Sequence, residues 1–129
     1  MATYNAFQLL KIAKEQVKYS YSPYSNFAVG AALLGKDGNI YTGCNVENAA
    51  YGACICAERT AVVKAVSRGC REFTAIAIVS GKGGITVPCG TCRQFLAEFS
   101  PDLTIILEDA SGKPITHKLT ELLPNSFKL

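Results

Sequence analysis

Three short apolar runs, residues 27–34, 74–80 and 103–107, alternate along the chain with segments of helical periodicity, and this alternation leaves few folds open. An apolar run of that length between turn residues suits a strand covered on both faces. Phe7, Leu10, Ala13 and Val17 recur at helical spacing, with Lys11, Lys14, Glu15 and Lys18 mostly between them, which predicts a helix over residues 4–19. Ser22-Pro23 closes that region, because the residue before proline is pushed out of the helical basin. Lys36-Asp37-Gly38-Asn39 separates the 27–34 run from a second β-prone run at 40–44, a strong hairpin signal.

Residues 56–68 read as a helix with Ala57, Ala61, Val62, Ala65 and Val66 on one side and Gly69 as its C-terminal cap. Gly81, Gly83 and Gly84 make a turn after the 74–80 strand. Residues 89–99 predict a third helix with Phe95, Leu96 and Phe99 inward, and residues 115–118 an edge strand with a short helical turn before Pro124. Strands alternating with helices predict parallel pairing and a sheet covered on both faces. The expectation is a single domain over residues 1–129. Its class is α/β, a three-layer α/β/α sandwich on a mixed sheet of about five strands with a hairpin edge. Ligands in such sheets bind outside the carboxyl ends of strands, where the following helices begin.

Composition narrows the function. At 49 % hydrophobic and 18 % charged residues, the 129-residue chain has the material for a core rather than a disordered segment. No stretch approaches the roughly 20 apolar residues that span a bilayer, and residues 1–10 do not resemble a secretory signal. Cytoplasmic placement without a membrane partner is expected. The net charge of +3 comes from scattered basic residues, not from the stripe a nucleic-acid partner calls for, so the expected partner is a small molecule. Six cysteines in a reducing compartment point to metal or catalysis rather than disulfides.

Two short segments carry that chemistry: Cys56-Ala57-Glu58 and Pro88-Cys89-Gly90-Thr91-Cys92. Each opens a predicted helix, where unpaired N–H groups and the helix dipole favour a thiolate. Cys89 and Cys92 share one side of a first turn and can grip one ion. Zinc suits sulfur ligands in tetrahedral geometry, and three protein ligands leave a fourth position for water. Glu58 sits about 200° around the helix from Cys56. Both can face one metal only if it lies off the helix tip, toward which side chains tilt. Three thiolates around Zn²⁺ leave an excess negative charge. Two helix N-termini offset part of it, and Arg59, three residues from Cys56, can reach that sulfur and offset more.

The pattern of ligand-x-Glu followed by Pro-Cys-x-x-Cys is the signature of zinc deaminases. The chain resembles the small homotetrameric cytidine deaminases. The likeness runs through Tyr24-Ser25-Asn26-Phe27-Ala28-Val29-Gly30-Ala31, Gly43-Cys44-Asn45-Val46-Glu47-Asn48-Ala49-Ala50-Tyr51, Cys56-Ala57-Glu58-Arg59-Thr60-Ala61, Pro88-Cys89-Gly90-Thr91-Cys92-Arg93-Gln94 and Glu121-Leu122-Leu123-Pro124. It implies hydrolytic deamination of cytidine or deoxycytidine in pyrimidine salvage, with one Zn²⁺ per subunit held by Cys56, Cys89 and Cys92. Glu58 would carry a proton from the activated water to the pyrimidine N3 and then assist ammonia loss. Asn45 and Glu47 would hydrogen-bond the ribose 3′-hydroxyl, with Val46 lining the pocket between them. Phe27 would pack on the pyrimidine, and the backbone of Ala57 and Cys89 would read its edge. Tyr51 and Phe127 would build or cover a neighbouring subunit's pocket.

Other readings of the same residues stand beside this one. The three cysteines could form a structural metal site, with Cys54, another spare cysteine or His117 as fourth ligand, or Cys89 and Cys92 a redox pair. Cys44, Cys54 and Cys70 otherwise read as buried thiols, and His117 as an edge-strand side chain. Within enzymes, the rival is a deaminase of another cytosine-bearing compound. Asn45-x-Glu47, which the resemblance assigns to an unadorned ribose, argues against it. A polynucleotide deaminase would need the missing basic surface.

Overall fold

The structure, a computed structural model, describes residues 4–129; the parts of the single-domain and leader expectations that fall on residues 1–3 lie outside them. The first helix, α1 (Ala6–Gln16), starts at Asn5, whose side-chain oxygen accepts from the N–H groups of Phe7 and Gln8. A 3-10 turn, Val17–Tyr19, carries the helical path to the predicted end. The hairpin follows: β1 (Val29–Gly35) and β2 (Ile40–Cys44) pair antiparallel around a turn in which Gly38 takes φ +86°. That left-handed value is the one the Asp-Gly dipeptide supplies at low steric cost. Next come α2 (Ala57–Ser67), β3 (Phe73–Ser80), α3 (Gly90–Phe99), β4 (Thr104–Glu108), β5 (Pro114–Lys118) and the four-residue α4 (Leu119–Leu122).

The five strands form one sheet in the order β2-β1-β3-β4-β5. The expected parallel pairing holds for β3 with β4 alone; β1 runs antiparallel to both of its neighbours, and β5 to β4. The reason is the hairpin. Because β1 turns straight back into β2, it is β2 and β3 that run the same way, with β1 between them. The sheet is covered on both faces. Ala32, Leu34, Ala75, Ala77, Val79 and Ile106 pack against Leu9, Leu10 and Ala13 of α1. Ala31, Leu33, Ile76, Ile78, Ile105 and Leu107 point the other way, onto Ala61, Val62 and Ala65 of α2 and Leu96 of α3. The two-residue alternation of a strand sorts consecutive apolar residues into two cores. Of the three side chains expected inward on α3, only Leu96 is fully buried; Phe95 and Phe99 are half-buried and pack at the edge of the core.

This topology fixes where a site can form. Gly30 pairs with Cys44 and Val29 with Ser80, so the carboxyl ends of β2 and β3 flank the start of β1. The connections to α2 and to α3 therefore leave from the same end of the sheet. Close packing sets the height of α2: a Cβ on Gly43 would lie 2.4 Å from the Ala57 carbonyl oxygen and 2.6 Å from the Ala61 nitrogen. Only glycine lets the helix backbone approach that strand so closely.

Candidate metal centre and active site

Cys56 is the N-cap of α2 and Cys89 the N-cap of α3, and neither side chain caps its own helix. Each sulfur is thus free for another partner, while the first-turn N–H groups point the same way. The two sulfurs, 33 residues apart in sequence, lie 3.8 Å from each other. With Cys92, in the first turn of α3, they form a triad whose sulfur atoms are all within 4.8 Å of one another, the one such group of ligand-type side chains among the described residues. Two sulfurs bound to one tetrahedral zinc at about 2.3 Å sit about 3.8 Å apart. The donor set and its spacing therefore fit a zinc ion. Cys54 and His117 stand outside the triad; the Cys54 sulfur accepts from the Asn48 N–H at 3.3 Å, and His117 sits on β5 opposite Ile105.

The charge beside Cys56 is arranged for a thiolate. Arg59 Nη2 donates to the Cys56 sulfur at 3.2 Å. Hydrogen bonding from the Cys92 thiol, helped by the Arg59 guanidinium, brings the Cys56 thiol down to about 5. Cys92 is driven the opposite way by that same pairing and by burial, so the first proton leaves from Cys56. Glu58 is 4 % exposed. Burial, with the Cys56 thiolate adding to it, pushes its carboxyl up to about 7. A carboxyl poised there can both take and return a proton near neutral pH.

A cavity of about 230 Å³ opens beside the sulfurs. Phe27, Asn45, Glu47, Ala57 and Glu58 line it together with Cys56 and Cys89. The structure thus gathers seven of the singled-out residues on one cavity. Val46, between Asn45 and Glu47, does not line the cavity and is 41 % exposed. Residues 45–47 run extended between Tyr21 and Ile55, and in an extended chain neighbouring side chains point oppositely. With Asn45 and Glu47 inward, Val46 faces out. Tyr51 and Phe127, 74 % and 67 % exposed, also lie outside this cavity. Tyr51 packs edge-on against Tyr24, and the Phe127 carbonyl accepts from Gln94 Nε2 at 3.1 Å.

Residues 4–108, which hold the whole sulfur triad and the cavity lining, match the family model described as "Cytidine and deoxycytidylate deaminase zinc-binding region". The chain belongs to that deaminase family. It is 46 % identical to the cytidine deaminase of Sporosarcina psychrophila over 93 % of this chain and 89 % of that one. Among solved structures, the cytidine deaminase of Burkholderia pseudomallei superposes with a TM-score of 0.90 at 44 % identity, covering 96 % of this chain and all of the other. The Mycobacterium tuberculosis cytidine deaminase gives 0.86 at 41 %, over 98 % and 100 %.

Four further residues line this cavity without a role assigned from sequence: Ser25 and Val29, both within the 24–31 stretch of the likeness, and Thr86 and Val87. Thr86 and Val87 stand just before Pro88-Cys89, so proximity to the cysteine motif was their signal. Ser25 had none of its own. Its hydroxyl donates to Glu47 Oε2 and accepts from the Phe27 N–H, which ties the loop before β1 to the segment after β2. The Tyr24 and Ser25 N–H groups both bond Glu47 Oε1, and these three donors hold the Glu47 carboxyl below the usual range, the Ser25 hydroxyl foremost.

Proposed function

We propose that the chain hydrolyses the 4-amino group of cytidine and deoxycytidine, giving uridine or deoxyuridine and ammonia. One observation carries the reading: three cysteine sulfurs gather at the tips of two helices, and two of them, Cys56 and Cys89, share a cavity with the buried carboxyl group of Glu58. A zinc ion held by Cys56, Cys89 and Cys92 would supply Lewis-acid activation of water at neutral pH.

The remaining work falls to side chains of this chain. Glu58 takes one proton from water as the oxygen adds to C4, and delivers it to N3. It then passes the proton of the new hydroxyl to the amino nitrogen, the C4–N bond breaks, and ammonia leaves. Each such transfer contributes about 10²- to 10⁴-fold. Phe27 packs on the pyrimidine, the backbone of Ala57 and Cys89 reads its edge, and Asn45 with Glu47 takes the ribose 3′-hydroxyl. Arg59 stabilises the thiolate of Cys56.

The same reading makes residues 1–129 a single catalytic domain, cytoplasmic, acting on free nucleosides in pyrimidine salvage. It assembles as a homotetramer in which Tyr51 and Phe127 complete a neighbour's site. Supporting the assembly are those two exposed aromatic rings and an apolar hollow of about 680 Å³ along α3, walled by Phe95 and Phe99. Among the described residues no helix is long and apolar enough to cross a membrane.

The test adds cytidine to purified protein and follows uridine and ammonia. Equimolar release, lost with a chelator and restored by zinc, is expected. Zinc-loaded protein that releases no ammonia overturns the reading. Cys54→Ser separates the enzyme from a structural zinc module: zinc content and turnover stay unchanged in the first case, and zinc is lost in the second.

A further inference from the structure

Hydrogen-bond counting around Asn45 and Glu47 leaves one free donor and one free acceptor. Asn45 Oδ1 accepts from the Val29 N–H at 2.9 Å and from Ser20 Oγ at 2.5 Å, which fills both of its lone pairs. Asn45 Nδ2 donates one hydrogen to the Phe27 carbonyl at 2.8 Å and keeps one. Glu47 Oε1 takes two backbone N–H groups and Oε2 takes the Ser25 hydroxyl, so one lone pair remains on Oε2. A group that both accepts and donates, such as a hydroxyl, satisfies the pair at once.

The orientation of the amide decides this count. Flipping it would set an NH₂ against the Val29 N–H and an oxygen against the Phe27 carbonyl. Ser20 adds a third restraint from a separate element, the loop after the 3-10 turn. It is itself in a chain of hydroxyls. Ser20 Oγ lies 3.1 Å from Ser22 Oγ, and a hydroxyl has a single proton. Since Asn45 Oδ1 can only accept, Ser20 donates to it and Ser22 donates to Ser20. Backbone groups hold the amide at the start of β1, and the hydroxyl chain ties it to the end of the α1 region.

We propose that Ser20 is a positioning residue for sugar recognition: it fixes the Asn45 amide so that its free N–H meets the substrate's 3′-hydroxyl. The inference rests on the reading of Asn45 and Glu47 as the ribose contact. Its effect is on ground-state binding, because the 3′-hydroxyl lies away from the reacting C4.

The test compares cytidine with 3′-deoxycytidine on wild type, Ser20→Ala and Ser20→Thr, each as zinc-loaded protein. For cytidine, Ser20→Ala raises KM by about 3- to 10-fold and leaves kcat within about twofold, the scale of one hydrogen bond. For 3′-deoxycytidine the same substitution changes KM little, since the contact it prepares is missing. Ser20→Thr, which keeps the hydroxyl, restores the cytidine KM. An equal penalty on both substrates makes Ser20 a structural residue only and overturns the proposal. A fall in kcat with KM unchanged, or a Thr variant as impaired as Ala, overturns it too. Wild type that treats the two substrates alike overturns the ribose reading itself, which separates the two failures. Should Ser20→Ala not fold, Ser22→Ala removes the outer hydroxyl instead and gives a smaller penalty confined to cytidine; a penalty shared by both substrates overturns the proposal.

Discussion

The Arg59 guanidinium donates to the Cys56 sulfur at 3.2 Å, one helical turn along from the residue that caps that helix. Three thiolates around a dication carry a net negative charge, which works against activating a water molecule there. A fixed cation on one sulfur offsets it. Partners of this kind, one bond removed from a metal, are worth roughly 10- to 100-fold in metal affinity or activity. Arg59→Ala is therefore expected to weaken zinc by that factor in competition with a chromophoric chelator. Full zinc content with undiminished turnover would rule the role out.

Glu58 is not one of the three sulfur-triad residues, and it is buried in the cavity wall. Glu58→Gln keeps the shape and removes the proton carrier. Metal analysis should find zinc at the wild-type level while turnover falls by about 10²-fold or more. Near-normal turnover would show that another group moves the proton.

Gly43 sets the contact between β2 and α2. A methyl group there meets backbone atoms of Ala57 and Ala61 inside 3 Å, and backbone cannot swing away as a side chain can. Gly43→Ala is expected to cost about 1–3 kcal/mol in denaturant unfolding and to lower zinc affinity, because the helix that yields carries Cys56 at its tip. Unaltered stability and zinc affinity would mean that the helix accommodates the methyl without moving.

Asp37 and Tyr41 give a pH dependence remote from the metal. The Tyr41 hydroxyl donates to Asp37 Oδ2 at 2.5 Å and is the main reason the Asp37 carboxyl is lowered from 3.8. A lowered carboxyl stabilises the fold above its unfolded value and loses that contribution as pH falls through the folded one. The stability gap between wild type and Tyr41→Phe should be widest between pH 3.8 and 10.0, the ordinary values of the two groups, and narrow as the solution is acidified below that window. Unfolding curves collected across that range check the sign; a gap that widens in acid contradicts it.

The sites differ in how they could be read from the chain. The hairpin was legible because Asp37-Gly38 states a backbone conformation, and Gly38 adopts it. The metal ligands were legible because each cysteine motif opens a helix, and a helix tip is a local feature. The outward facing of Val46 was not legible, since a segment assigned by likeness carries no facing until the chain on both sides pins it. The second neighbour of β1 was also out of reach: periodicity says that a strand is buried, not that β3 lies antiparallel on its other side.

Local chemistry in the sequence determined the elements, the helix starts and the types of ligand: turn dipeptides, apolar spacing and cap positions act over a few residues. Closure of the 33-residue gap between Cys56 and Cys89 to 3.8 Å belongs to the tertiary structure. Inserting β1 antiparallel between β2 and β3 brings the carboxyl ends of those two strands to the same end of the sheet, so both helices begin there. The pocket side chains likewise meet only at that end, where Ser20 and Ser25 reach Asn45 and Glu47 from segments more than twenty residues away. Such contacts depend on how strands order themselves in space, which is settled by packing two apolar faces at once rather than by any short stretch of chain.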